Sequence, residues 1–137
     1  MFAVKMVDRL KVLVVDDDID IIYVMKIGLE KQGFEVDTFS DPKKALSHFK
    51  PNNYHAIVLD VRMPGMNGFY LAKQIWALDA KANICFLSAF EIYEAEAKLV
   101  FTDFKSHCFI KKPIEPRDLA THIRTHIDRK IDPPKLL

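Results

Sequence analysis

The chain has 137 residues, half of them apolar, and 20 basic against 19 acidic residues give a formal charge of +1. That length suits one domain around one core, and the charge balance offers no reason to expect nucleic acid or an anionic membrane as the main partner. Two cysteines are too few for a disulfide scaffold and lack metal-site spacing, so Cys85 and Cys108, each in an apolar run, are expected to be reduced thiols. The opening MFAVKMVDRLK is too short and charged for a signal peptide, and no apolar run approaches the roughly 20 residues that cross a bilayer, so a cytoplasmic protein is expected.

Lys11–Val15 (KVLVV) predicts a buried strand, closed by Asp16, Asp17 and Asp18. Ile19–Gln32 has helical spacing through Ile22, Met25 and Leu29 and ends at Gly33. Glu35–Phe39 alternates like a strand, and Ser40-Asp41-Pro42 caps a helix that buries Ala45, Leu46 and Phe49. Ala56–Leu59 is a third strand, stopping at Asp60. After the MPGMNG loop, a helix carries Phe69, Leu71, Ala72, Ile75 and Trp76. Asn83–Leu87 predicts a buried strand ending at Ser88, and Glu91–Phe101 a helix through Ile92, Ala95 and Leu99. Cys108–Ile110 is the fifth strand. The last helix, from about Pro116, uses Leu119, Ile123 and Ile127 and cannot continue through Pro133 and Pro134. Five apolar strands alternating with five helices imply an α/β fold, with a parallel sheet covered on both faces.

Functional groups of an open parallel sheet gather at the carboxyl ends of its strands. Here the first strand ends at Asp16 and Asp17, the third at Asp60, the fourth at Ser88, and the fifth runs into Lys111-Lys112-Pro113. Three clustered carboxylates repel one another unless a cation neutralises them, and Mg²⁺ with oxygen ligands does so. A carboxylate beside such an ion can attack phosphorus and form an acyl phosphate, while an ammonium and a hydroxyl offset charge on the phosphoryl group.

The segments VLVVDDD, IVLDVRMPGMNG, FLSA and FIKKP, in that order, resemble the response-regulator receiver family of two-component signalling. The likeness covers about residues 10–130 and implies a single (βα)5 doubly wound sheet, flavodoxin-like, with strand order 2-1-3-4-5. It places a receiver domain at 8–131 and leaves 132–137 as a C-terminal tail or the start of a linker. By the same resemblance Asp60 is the phospho-acceptor, and Mg²⁺ (or Mn²⁺) is held by Asp16, Asp17, Asp60 and the backbone carbonyl of Arg62. Asp17 corresponds to the direct ligand and Asp16 to one acting partly through water. Ser88 matches the hydroxyl that turns toward the phosphoryl group, Lys112 the family lysine before a cis Pro113, and Phe109 the aromatic switch position. Phe109 stands where many members carry tyrosine, Arg62 and Phe90 flank the site where the family tunes phosphoryl lifetime, and Phe101–His107 lacks the usual Gly-Ala.

The resemblance implies a histidine kinase or phosphotransfer protein as donor. It also implies a downstream protein reading the face of the fourth helix, fifth strand and fifth helix, and is compatible with a weak homodimer. No enzyme activity is expected beyond the domain's part in its own phosphorylation and dephosphorylation. Taken singly, the same residues have plainer roles: Asp60 a turn residue, Ser88 a helix cap, Lys112 a solvated lysine, and Asp18 and Asp20 the first turn of a helix. Their joint placement on one sheet edge favours the chemical reading. A haloacid-dehalogenase-type phosphatase would need a further strand-end acidic pair after the lysine, where only Glu115 and Asp118 occur. His122 and His126, four apart on one helix, suit metal binding in spacing but show no third ligand in the sequence.

Overall fold

The computed structural model describes residues 9–89, 97–100 and 107–127. Five strands, β1 (Lys11–Val15), β2 (Glu35–Phe39), β3 (Ala56–Asp60), β4 (Ile84–Ser88) and β5 (Cys108–Lys111), form one sheet in the order β2-β1-β3-β4-β5. All four pairings are parallel. The described helices are α1 (Ile19–Lys31), α2 (Pro42–His48), α3 (Gly68–Leu78) and α4 (Pro116–Ile127). The doubly wound order expected from the resemblance is therefore the observed one.

The pleat sorts the apolar strands between two cores. Leu13, Val15, Ile57, Leu59, Ile84 and Phe86 pack with Ala45 and Phe49 and with Phe69, Leu71 and Ile75, on the side of α2 and α3. Val12, Val14, Val58, Cys85, Leu87 and Ile110 pack with Met25 and Leu29 of α1 and with Leu119 and Ile123 of α4. Each central strand thus needs apolar residues on both faces, which explains its unbroken hydrophobic run.

Helix starts follow local chemistry. The Asp18 carboxylate accepts from the amides of Asp20 and Ile21, Asp41 accepts from Lys43 with Pro42 in the first turn, and Asn67 accepts from Tyr70. Gly33 follows α1 with φ +96°, a conformation that glycine adopts without strain. The predicted boundaries move by a residue or so: β3 includes Asp60, β4 runs to Ser88 and β5 to Lys111.

Three expectations change or fall outside. The predicted helix over Glu91–Phe101 lies mostly outside the described residues. Its described portion buries Ala97 and Val100, whereas Leu99, assigned to the buried face, is 67% exposed. Cys85 and Cys108, expected as reduced thiols, are joined in a disulfide. Parallel register sets them directly opposite each other with their Cα atoms 4.6 Å apart, inside the span a disulfide bridges, although 23 positions separate them in sequence.

Candidate functional site

The carboxyl ends of β1, β3, β4 and β5 converge. Asp16 follows β1, Asp60 closes β3 and Ser88 closes β4, and these are buried polar residues with 1%, 5% and 3% of their surface exposed. Asp17 is exposed beside them. Carboxylate oxygens of Asp16, Asp17 and Asp60 lie within 4.8 Å of one another. Lys112, just past β5, sends Nζ back into the cluster, donating to Asp16 Oδ2 at 2.6 Å and lying 3.3 Å from Asp60 Oδ1. The peptide between Lys112 and Pro113 is cis, as the resemblance implied.

Backbone bonds hold this edge. The Lys112 amide donates to the Ser88 carbonyl at 2.8 Å, the Val61 amide to Leu87 at 2.9 Å, and the Asp16 amide to Phe39 at 3.2 Å. Asp16 Oδ1 accepts from the Asp18 amide at 3.0 Å, which fixes its carboxylate relative to the start of α1. Gly68 lets α3 begin against the backbone of Asp60, since a Cβ there would collide with the Asp60 carbonyl oxygen. Its amide donates to the Val61 carbonyl at 2.9 Å, closing the loop after β3.

Electrostatics at the edge are frustrated. Burial pushes the Asp60 carboxyl from 3.8 up to about 7, and repulsion from Asp16 adds to this against the pull of Lys112. Burial alone would lower Lys112, but its bond to Asp16 and the charges of Asp16 and Asp60 hold it above its ordinary value. One ammonium among three carboxylates leaves net negative charge facing hard oxygen donors. That set fits a divalent cation of the Mg²⁺ type. Its ligands here would be Asp16, Asp17 and Asp60, and it would supply charge neutralisation for a phosphoryl oxygen.

The other expected residues are less central. Arg62 is exposed in the loop two positions past Asp60, and Lys111 is exposed beside Lys112. Phe109 is half-buried on β5, its ring stacked on Phe86 at 5.4 Å and edge-on to Phe69 at 6.3 Å. Met63 is buried and Met66 packs on the same core, which agrees with a packing role. Phe90 and Phe101–Ser106 lie outside the described residues. Glu115 and Asp118 do not join the carboxylate cluster. What sequence reasoning missed is a second gathering of ligand types, Cys85, Cys108 and His126; the pairing of His122 with His126 was its only visible trace.

Comparison with known proteins agrees with this geometry. The family model for the response regulator receiver domain matches residues 12–124. The transcriptional regulatory protein PrrA of Mycobacterium tuberculosis is 31% identical over 120 residues, covering 88% of this chain and 51% of PrrA. The putative two-component response regulator ARR21 of Arabidopsis thaliana is 36% identical over 114 residues, covering 82% of this chain and 18% of its own length. Among solved structures, the Francisella response regulator 1452 receiver domain superposes with TM-score 0.73 at 29% identity, covering 88% of this chain and 98% of that one. The chain spans about half the length of PrrA and of several similar curated relatives.

Proposed function

The chain belongs to the response regulator receiver domain family, whose general function is phosphorylation-based switching, and from that premise we propose that Asp60 is its phospho-acceptor. The observation that carries the reading is the buried Asp60 carboxylate at the end of β3, with Lys112 Nζ 3.3 Å away and two further carboxylates close by.

In this proposal a phospho-histidine of a kinase or phosphotransfer protein presents its phosphorus to Asp60. An Asp60 carboxylate oxygen forms the new O–P bond, the N–P bond breaks, and the imidazole leaves with its electron pair and takes up a proton. Asp16, Asp17 and Asp60, joined by the Arg62 carbonyl, would hold the Mg²⁺ ion, which would neutralise charge on a phosphoryl oxygen. Lys112 exchanges part of its interaction with Asp16 for a phosphoryl oxygen, and the Ser88 hydroxyl donates to another. Moving Ser88 inward frees space that Phe109, stacked on Phe86, then fills. That repacking biases the surface of β5 and α4 toward a downstream partner.

The proposed receiver unit spans 8–131, and residues 132–137, outside the described ones, are read as a tail or the start of a linker. No helix among the described residues is long and apolar enough to cross a membrane, and a cytoplasmic location belongs to the same proposal. The test is incubation with Mg²⁺ and acetyl phosphate, followed by mass spectrometry of the intact chain. One acid-labile phosphoryl group per chain, lost in Asp60→Asn, is expected. Equal labelling of Asp60→Asn would overturn the assignment.

A further inference from the structure

At the other end of β4 and β5 lies a group of residues that phosphoryl transfer does not use. Cys85 is the second residue of β4 and Cys108 the first of β5. Ser88 is three residues further along β4, about 10 Å at strand rise. Cys85 is 1% exposed in the core beneath α1 and α4, and Cys108 is half-buried against that core. His126, half-buried in the last turn of α4, meets them there: the two sulfurs and an imidazole nitrogen all lie within 4.8 Å of one another. Alongside is a cavity of about 430 Å³ lined by His107, Cys108, His122, Thr125 and His126.

We propose that Cys85, Cys108 and His126 form a second metal site, for a thiophilic divalent cation of the Zn²⁺ type, when the two cysteines are dithiol. Three elements bring two sulfurs and one nitrogen to a common point. Such donors suit Zn²⁺ and not Mg²⁺, whose ligands are oxygens. Tetrahedral bonds of about 2.0–2.3 Å put neighbouring ligand atoms roughly 3.5 Å apart, so the cluster closes on an ion through side-chain rotation. The cavity leaves room for water at the fourth position.

The disulfide is the alternative state of the same sulfurs. Opening it yields two thiols: a dithiol supplies two electrons and two protons and becomes a disulfide, or a phosphine supplies the electrons and becomes its oxide while water provides the oxygen and both protons. The cation then displaces both thiol protons and binds the thiolates beside the neutral imidazole. A reducing compartment favours the dithiol form, where disulfides are rare. Metal occupancy would thus tie α4 to β4 and β5, one position before Phe86 and Phe109 in the strand register.

The test is a Co²⁺ titration of the full chain, reduced with a phosphine under argon, with Mg²⁺ in excess to occupy the carboxylate edge. One equivalent of Co²⁺ with thiolate-to-metal charge-transfer absorption, displaced by Zn²⁺, is expected. The unreduced protein should show no such band. Cys108→Ser and His126→Ala should each weaken binding by at least the roughly 10–100-fold that loss of even an outer-shell partner costs. His122→Ala should bind as the parent does, and His126→Asn serves if the alanine variant does not fold. No charge-transfer band in the reduced protein would overturn the proposal. So would parent-like binding by Cys108→Ser, or loss in His122→Ala instead of His126→Ala.

Discussion

The two ends of the one sheet carry opposite chemistries, carboxylates at the ends of β1 and β3 and sulfurs near the starts of β4 and β5. At the carboxyl end, Asp16, Asp17 and Asp60 offer hard oxygens around the Lys112 ammonium. Nearer the amino end, Cys85, Cys108 and His126 offer sulfur and nitrogen beneath a helix. Charge makes the first end unfavourable until a cation or a proton arrives, which Asp60 records by holding its proton up to about pH 7. The second end can satisfy itself covalently as a disulfide. Under-neutralised charge at one end and a self-satisfying pair at the other explain why one reads as a working site and the other as a conditional one.

The sharpest way to break the comparison is to silence one end alone. Asp60→Asn should abolish phosphorylation while leaving Co²⁺ binding by the reduced sulfur cluster unchanged, as read by mass spectrometry and absorbance. Lys112→Ala should slow phosphorylation by acetyl phosphate by about 100-fold, because a positioned cation aimed at the transferring group is lost. Residual rates near the parent's would show that Lys112 only offsets Asp16.

Stability tests the frustration directly. In metal-free protein the folded Asp60 binds its proton more tightly than the unfolded chain, whose value is the ordinary 3.8. Folding stability should therefore fall as pH rises from about 4 to about 7 and level off above. Asp60→Asn should remove that slope and be more stable than the parent at pH 8, by about 1–4 kcal/mol in urea melts. Adding Mg²⁺ to the parent should flatten the same slope. A parent slope unchanged in Asp60→Asn would place the frustration on another group.

The smallest effect separates neighbours. Asp18 caps α1, whereas Asp17 faces the carboxylate cluster. Asp18→Ala should cost about 1 kcal/mol of stability with Mg²⁺ affinity retained, and Asp17→Ala the reverse, by fluorescence titration and thermal melts.

Much was legible because the relevant signals are local. The runs KVLVV, AIVLD and ICFLS are apolar at every or nearly every position, which only a strand covered on both faces requires. Asp41 before Pro42, and Gly33 after α1, mark helix ends by their own backbone chemistry. Helical spacing names a periodic stripe but not which stripe faces the sheet, and so Leu99, on the expected stripe, is exposed while Ala97 and Val100 are buried.

The sequence by itself determined the strands, the parallel α/β class and the residues at the carboxyl edge, since strand ends are read from where an apolar run meets a polar residue. Only the tertiary structure decided that Lys112 bridges Asp16 and Asp60, 96 positions from one of them, and that burial raises Asp60. It alone joined Cys85 to Cys108 and set His126 against them. Those contacts come from strand register and helix docking, which bring distant positions together without leaving a spacing that the chain could display.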